Sequence, residues 1–245
     1  MRARVTRLRA AAPLLLGVAV AGAAVMPPFH ELSEELFSAH MVQHELLMTI
    51  AAPLIVLGRP MVVALWMLPR PWRAPVAGFA QRPVVRRFTA ALTAPIVAWV
   101  LHGLAIWLWH APPLFVSAIH NDVVHAAQHL SFLGTGVMFW WAVLEPRRRS
   151  QRGVSVLLLF TTAVHTGVLG ALMTFARTPW YPGYTQSLMF GLSPIADQQL
   201  AGMIMWIPGS VGYLVAALFT IRRWLAESEW EVTRDEHGRY AVLTR

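Results

Sequence analysis

The stretch from His40 to Leu57 reads HMVQHELLMTIAAPLIVL and contains a single charged residue, Glu45. A helix needs roughly 20 mostly apolar residues to cross the hydrocarbon layer of a membrane, and this stretch comes close to that length. The whole chain has the same character, because 56% of its 245 residues are hydrophobic and only 13% are charged. Soluble domains usually carry about 25% charged residues. The sequence therefore predicts an integral membrane protein of the all-α class.

Other apolar stretches extend this prediction to a polytopic bundle of about six transmembrane helices. In chain order the predicted spans are Ala10–Met26, His40–Leu57, Thr89–Trp109, Asn121–Leu144, Val154–Ala176 and Pro194–Ile221. The apolar stretch Met61–Leu68 is too short to span and is interpreted as a helical extension or an interfacial segment. No repeat or linker divides the chain, so residues 1–226 are predicted to form one transmembrane domain and residues 227–245 a short cytoplasmic tail.

The arginines indicate how the spans are oriented, since all 20 basic residues are arginine. Four precede the first span, six lie between spans two and three, four follow span four, and five follow span six. All of these positions share one side of a six-span bundle, and only Arg177 lies on the other. Basic residues concentrate in cytoplasmic loops, so both termini are predicted to be cytoplasmic. Topology thereby explains the net charge of +8, and no nucleic-acid partner is expected.

The first apolar stretch has two interpretations. Four arginines precede it and it contains the small residues Ala21–Ala24, a pattern that fits either a retained span or a cleaved signal peptide. In both cases the second span begins on the outer side, so the predicted orientation of the remaining chain is the same.

Nine of the ten histidines fall on the outer side of this topology or in the outer half of the membrane. Ionisable groups at that depth are costly and normally face the bundle interior or a cavity. Two pairs, His40 with His44 and His125 with His129, are four residues apart and so place both rings on one helix face. Paired imidazoles at this spacing can bind one metal ion. The predicted metal ligands are His40, His44, His120, His125 and His129.

A second group of side chains on the same side is predicted to add ligands or to orient the first group. Its members are His30, His102, His110, His165, Asp122, Asp197, Met48 and Met203. The chain has no cysteine, which excludes disulfides, thiolate metal sites and cysteine nucleophiles. Imidazole and thioether ligands suit copper, zinc is also compatible, and haem held between two histidines is a third alternative. No catalytic residue is predicted.

Three blocks of the sequence resemble the CtaG family of bacterial cytochrome c oxidase assembly factors. The blocks are His40–Pro60, then Trp109–Pro113 followed by His120, His125, His129 and Phe139–Trp141, and finally Asp197–Gly209. The family's characteristic histidines correspond to His40, His44, His110, His120, His125 and His129, and Asp197 belongs to the third block.

The resemblance implies a multi-pass protein of the bacterial plasma (inner) membrane, with the histidine cluster on the periplasmic, outer side. Such a protein would act as a copper chaperone, binding Cu(I) and assisting metallation of the oxidase, and would not be an enzyme. Its expected partners are cytochrome c oxidase subunits and the lipid bilayer.

Two other functions also fit these residues. A zinc ion on three histidines, with Asp122 or Asp197 nearby, could activate water in an intramembrane zinc-dependent hydrolase. The segment after His44 lacks the second histidine of the zinc-protease motif, however. Alternatively, two histidines could hold haem in a membrane electron carrier, which a red preparation with a Soret band would reveal.

Overall fold

In the computed structural model, all regular secondary structure among the described residues is helical. This confirms the all-α prediction. The structure describes the backbone of residues 2–145, 151–184 and 186–236, and the side chains of residues 11–145, 151–184 and 186–226. Within these residues the main helices are α1 (Arg2–Val25), α2 (Phe29–Glu35), α3 (Phe37–Leu57), α4 (Pro60–Met67), α5 (Arg70–Ala80), α6 (Pro83–Leu92), α7 (Pro95–Trp109), α8 (Pro112–His120), α9 (Asp122–Leu144), α10 (Gln151–Thr174) and α11, which begins at Pro194 and continues to Glu236.

Three of these helices are long and apolar enough to cross a membrane, namely Phe37–Leu57, Gln151–Thr174 and Pro194–Ala226. The number rises to five if two bent helix pairs each count as one span. These pairs are α1 with α2, bent by 44°, and α6 with α7, bent by 60°. The structure therefore supports three to five spans within its described residues, and the predictions of six spans and of cytoplasmic termini remain predictions.

The fourth predicted span forms the 23-residue helix α9 but is less apolar than the other three long helices. Its first two turns carry Asp122, His125, Gln128 and His129. These polar side chains lower its mean hydropathy, and they include two of the predicted metal ligands.

The third predicted span is broken, because the chain bends between α6 and α7. Pro95 begins α7, and Ala94 before it has an extended backbone with φ −65° and ψ 132°. A residue that precedes proline is pushed out of the helical region, which explains why the apolar stretch Thr89–Trp109 is not one helix.

Two long helices contain a π-helical turn next to a proline. In α3 this turn covers Leu46–Ala51 and precedes Pro53, and in α11 it covers Met205–Gly209 and includes Pro208. Proline has no backbone N–H and its ring crowds the preceding turn, so the regular α-helical bonding is interrupted there. The indole of Trp140 donates a hydrogen bond of 2.7 Å to the carbonyl of Met48. A side chain of α9 thus supports the widened turn of α3.

The stretch Met61–Leu68, predicted to be a helical extension or an interfacial segment, corresponds to α4. It is followed by α5 and α6, which lie wholly within the described residues and bury none of their side chains. At the other end of the chain, α11 continues through residues 227–236 of the predicted tail. The rest of that tail, with His237, lies outside the described residues.

Two glycines bring α10 and α11 into backbone contact. A Cβ atom on Gly202 would lie 2.6 Å from the carbonyl oxygen of Gly170, and one on Gly170 would lie 2.7 Å from the carbonyl oxygen of Gly202. Small residues allow this close approach between membrane helices. The contact lies less than two turns beyond Asp197 on α11, and it therefore helps to position that residue.

We expect Gly202→Ala to lower the free energy of unfolding by about 2 kcal/mol, because the added methyl group must push the two backbones apart. Denaturation of the detergent-solubilised protein would measure the change. Gly134→Ala is the matched control, since a Cβ atom at that position meets no atom within 4 Å among the described residues. An equal effect of both substitutions would contradict the proposed role of the close approach.

Candidate metal centre

The N-terminal end of α3 is capped by a residue of α11. The buried carboxylate of Asp197 accepts hydrogen bonds from the backbone N–H groups of Phe37, at 2.7 Å, and Ser38, at 3.0 Å. The first N–H groups of a helix have no partner within it, and a negative charge there is favoured by the helix dipole. The capped helix then places His40 and His44 on one face, one turn apart.

The helix α9 brings the second histidine pair opposite the first. Its N-terminus is capped by Asn121, whose side-chain oxygen accepts from two backbone N–H groups at 3.0 and 3.1 Å. His125 stacks on His40 with ring centroids 5.0 Å apart, and His129 lies edge-on to His44 at 5.4 Å. The two pairs therefore face each other across the boundary between α3 and α9.

Three of these imidazoles form a buried group that could hold one metal ion. His40, His44 and His129 each offer a ring nitrogen, and these nitrogens lie within 4.8 Å of one another. Nε2 of His40, both ring nitrogens of His44 and Nε2 of His129 have no hydrogen-bond partner among the described residues. Metal–imidazole bonds of about 2.0–2.1 Å would hold three nitrogens about 3.5 Å apart, so small side-chain movements would complete the site. The residues present therefore fit a metal ion.

Aromatic side chains separate the triad, defined as His40, His44 and His129, from its surroundings. The ring of His40 packs edge-on against Phe115 at 5.1 Å, and that of His44 packs against Phe132 at 4.6 Å. The exposed fraction of His44 is only 1%. An ion on the triad would be largely shielded from water, which strengthens its electrostatic interactions with the ligands.

A continuous series of rings connects the triad to the protein surface. His30, whose side chain is 31% exposed, stacks on His125 with ring centroids 5.4 Å apart. His125 in turn lies 4.3 Å from His129 and 5.0 Å from His40. Nε2 of His30 also lies 3.5 Å from the carboxylate of the exposed Glu34. The arrangement offers successive nitrogen ligands from the surface inward.

A fifth buried histidine of this region pairs with a methionine. Nδ1 of His110 lies 2.7 Å from the carbonyl oxygen of Ile106, and Nε2 lies 3.4 Å from the sulfur of Met41. A carbonyl oxygen only accepts, so Nδ1 carries the hydrogen and Nε2 presents its lone pair to the thioether. Burial lowers the pKa of His110 to about 4, so the ring is uncharged at neutral pH. The His110 ring lies 5.9 Å from that of His44.

Two other predicted histidines lie apart from the triad. His120 is exposed, and its Nδ1 donates to the carbonyl of Val116 at 2.8 Å. His102 is buried with both nitrogens occupied, by Thr135 at 3.1 Å and by the hydroxyl of Tyr213 at 3.2 Å. The structure therefore does not bring either residue to the triad.

The remaining predicted residues differ from one another in exposure and in the contacts they make. Asp122 is exposed in the first turn of α9, and Asp197 is engaged as the cap of α3. Met48 is buried in the hydrophobic core that includes Phe115 and Phe132, whereas Met203 is 41% exposed. Nδ1 of His165 on α10 accepts a hydrogen bond from the indole of Trp107 at 3.3 Å.

Three residues of this region are not among the predicted site residues. The sulfur of Met41 contacts His110. The side chain of Gln43 donates to the carbonyl of Ala24 at 2.7 Å. Gln128, which directly precedes His129 in the sequence, is fully buried. Neither amide atom of Gln128 has a hydrogen-bond partner in the described part of the chain. The sequence does mark the two glutamines, because each histidine pair has the pattern His-x-x-Gln-His. No comparable pattern marks Met41.

The fold and the site together define a polytopic helical membrane protein with a buried cluster of unpartnered imidazoles. The chain belongs to the family of cytochrome c oxidase caa3 assembly factors, Caa3_CtaG, whose sequence model matches residues 1–227. This match confirms the family that the three sequence blocks indicate.

Related proteins occur in mycobacteria. The chain is 29% identical over 215 residues to the uncharacterized protein Mb0105 of Mycobacterium bovis and to the uncharacterized protein MT0111 of Mycobacterium tuberculosis. It is 26% identical over the same length to the uncharacterized protein ML1998 of Mycobacterium leprae. These alignments cover 82% of this chain but 32% of each relative, so the chain spans about a third of the length of the curated relatives it matches. No solved structure matches the chain.

Proposed function

We propose that the protein is an assembly factor that binds Cu(I) at His40, His44 and His129 and passes it to a cytochrome c oxidase. The observation that carries this proposal is the buried triad, whose ring nitrogens lack partners among the described residues. Unpaired buried polar atoms are costly, and a metal ion would satisfy several of them at once. Membership of the oxidase assembly family supports a cytochrome c oxidase as the protein that would receive the ion.

The chemistry of the neighbouring ligands favours Cu(I) over zinc. Met41 adds a thioether sulfur, and the lone pair of His110 Nε2 points toward it. This nitrogen and the sulfur of Met41 lie 3.4 Å apart with no hydrogen between them, so they do not form a hydrogen bond. Both atoms carry a lone pair that can bind a soft cation. Thioether ligands select Cu(I), whereas zinc sites in proteins use thiolate, imidazole and carboxylate ligands. A singly charged ion also costs less to bury than a doubly charged one.

The series of rings supplies a route for the ion. Cu(I) would first meet His30 beside Glu34, move to His125, and then reach the triad by exchange of one imidazole for the next. Because three imidazoles leave room for another ligand, a ligand of the oxidase could remove the ion by the same exchange. This route starts on the outer side of the predicted topology, in keeping with a protein of the bacterial plasma membrane.

The site geometry offers less support for the two alternatives. The segment after His44 and Glu45 lacks the second histidine of the zinc-protease motif, and the carboxylate of Glu45 lies against α11, where a Cβ atom on Gly209 would be 2.7 Å from it. Asp122 is exposed and Asp197 caps α3, so neither is held at the triad as a base. Haem needs a gap between two imidazoles that admits a porphyrin ring. The rings of each pair instead pack on each other, with centroids 4.4 Å apart for His40 and His44 and 4.3 Å for His125 and His129.

We expect Met41→Leu to weaken Cu(I) binding about tenfold, because the substitution removes the sulfur that lies 3.4 Å from Nε2 of His110, whose ring neighbours that of His44, while keeping the side-chain volume. Zinc affinity should change less than about twofold, since zinc does not depend on a thioether. Competition with a chromogenic Cu(I) chelator would measure the effect. Met173→Leu, another buried methionine of the same core, is the matched control. Unchanged Cu(I) affinity in Met41→Leu would contradict the participation of Met41.

The proposed cellular role is tested by deleting the gene and measuring copper bound to the purified oxidase. We expect the oxidase polypeptide to be present with reduced copper content and activity. Wild-type protein should restore both, and a variant without the triad should restore neither. Normal oxidase copper in the deletion strain would contradict the proposal.

A further inference from the structure

The helices α5 and α6 lie outside the packed bundle. None of their side chains is buried among the described residues. A helix of this length is marginal in water by itself and gains most of its stability by packing an apolar face against another surface. Because the described residues bury neither helix, the surface that stabilises α5 and α6 lies elsewhere.

Both helices carry exposed apolar side chains at one-turn spacing. In α5 these are Trp72, Val76 and Phe79, which share one face of the helix. In α6 they are Val84 and Phe88, whose exposed fractions are 77% and 64%. Exposed apolar stripes on consecutive short helices that also carry arginines are typical of segments that lie in the interface of a membrane.

The arginines of α6 lie away from its apolar stripe. Each residue turns an α-helix by about 100°, so Arg86 lies opposite the stripe and Arg87 at its border. Both side chains are exposed. They line a cavity of about 640 Å³ together with Pro83, Thr89 and Ala90. The polar side of α6 therefore offers two adjacent guanidinium groups in an open, concave surface.

The positive charge of this region has no acidic counterpart in the neighbouring sequence. Residues 46–121 contain six arginines and no aspartate or glutamate. Two of the six are engaged within the chain, because Arg73 donates to two backbone carbonyls at the C-terminal end of α4, both at 2.9 Å, and Arg82 lies over the ring of Phe79 at 5.3 Å. The adjacent arginine pair of α6, by contrast, contacts no carboxylate in the described part of the chain. This pair calls for an anion from outside.

The position of α6 places it near a membrane surface. The helix α7 has 15 residues, none of them aspartate, glutamate, lysine or arginine, and it ends next to His110, whose ring neighbours the triad. The other end of α7 begins at Pro95, which lines one cavity with Glu145 at the end of α9. The helix α6 joins α7 at this end and is bent by 60° from it. Because α7 crosses the hydrocarbon layer in the predicted topology, α6 runs closer to the plane of the membrane than to its normal, at the end remote from the triad.

We propose that α5 and α6 form an interfacial surface that binds anionic phospholipids, with lipid phosphate groups on Arg86 and Arg87 and with Val84 and Phe88 among the acyl chains. A guanidinium group binds phosphate through two parallel hydrogen bonds. Arginines near an anionic leaflet add electrostatic attraction to the burial of an apolar stripe. A zwitterionic phospholipid supplies the same acyl chains without net negative charge, so the arginine pair makes the surface selective. This inference does not depend on copper at the triad.

Hydrogen–deuterium exchange of the full-length protein in lipid nanodiscs tests the proposal. The backbone amides of residues 83–92 should exchange about tenfold more slowly in phosphatidylglycerol than in phosphatidylcholine, because bound anionic lipid stabilises the helix. Arg86→Gln/Arg87→Gln should exchange at the same rate in both lipids. Phe88→Gln should exchange faster than the wild type in both, since it removes part of the apolar stripe.

Arg222→Gln/Arg223→Gln is the matched control, because it removes the same charge from two adjacent exposed arginines of α11. It should retain the slow exchange of residues 83–92 in phosphatidylglycerol. Equal exchange of the wild type in the two lipids, or equal loss of protection in the two double variants, would overturn the proposal. Inorganic phosphate and poly-glutamate, added to the detergent-solubilised protein, should leave the exchange unchanged. Protection by either one as strong as that by phosphatidylglycerol would show a free anion or an acidic protein to be the occupant, and the lipid proposal would be wrong.

Discussion

Replacing both His44 and His129 with alanine should abolish copper binding, from about one ion per chain in the wild type to less than about a tenth of that value. The double variant removes two of the three imidazoles whose nitrogens lie within 4.8 Å of one another. Of the triad only His40 remains, and the other nearby ligands, His125, His110 and Met41, lie outside it, so we expect them to hold copper too weakly to retain it. Mass spectrometry of the purified protein, loaded with Cu(I) under anaerobic conditions, would measure the stoichiometry.

The control for this experiment is His120→Ala, because His120 is exposed and bonded to its own helix. It should retain the copper of the wild type. The double variant should also remain folded, since the four ring nitrogens of His44 and His129 include three without any partner among the described residues. Loss of copper in His120→Ala, or full copper in the double variant, would show that the ion is held elsewhere.

Replacing Asp197 with alanine should lower the free energy of unfolding by about 3 kcal/mol or more, since two buried hydrogen bonds to a charged acceptor are lost. The N–H groups of Phe37 and Ser38 would then lack their partner at the start of α3. This helix carries His40 and His44, so copper affinity should also fall. Denaturation of the detergent-solubilised protein would give the stability change.

Two further variants separate capping from metal binding. Asp197→Asn keeps one acceptor oxygen and should lose about half as much stability as the alanine variant. Asp122→Ala, which removes an exposed carboxylate from the first turn of α9, should change stability by less than about 0.5 kcal/mol. If Asp197→Ala were as stable as the wild type yet lost its copper, Asp197 would be a ligand and the capping role would be wrong.

Helix spacing was sufficient to indicate the central part of the site. Because side chains four residues apart share a helix face, the two histidine pairs could be recognised without a structure, and the structure places those pairs against each other. The apolar stretches likewise indicated where helices form. The break before Pro95 was harder to anticipate, because the hydropathy of Thr89–Trp109 is continuous across the residues at which the backbone bends.

Other features depend on contacts that spacing cannot reveal. Asp197 and Phe37 are 160 positions apart in sequence, so the capping of α3 is visible only once the fold is known. His120 and His125 have the same residue type and similar surroundings in sequence. Their roles differ because α8 ends at His120 on the protein surface, whereas His125 lies one turn inside α9. Met41 follows His40 and contacts His110 through tertiary packing alone.

The most direct test of the proposed copper site is X-ray absorption at the copper edge of the wild-type protein loaded with Cu(I). The proposal predicts imidazole nitrogens at about 2.0 Å from the ion, with the outer-ring scattering that identifies histidine, and the loss of this signal in the His44→Ala/His129→Ala variant. Stoichiometric copper without imidazole scattering, or an identical spectrum from the variant, would contradict the assignment of the triad as the copper site.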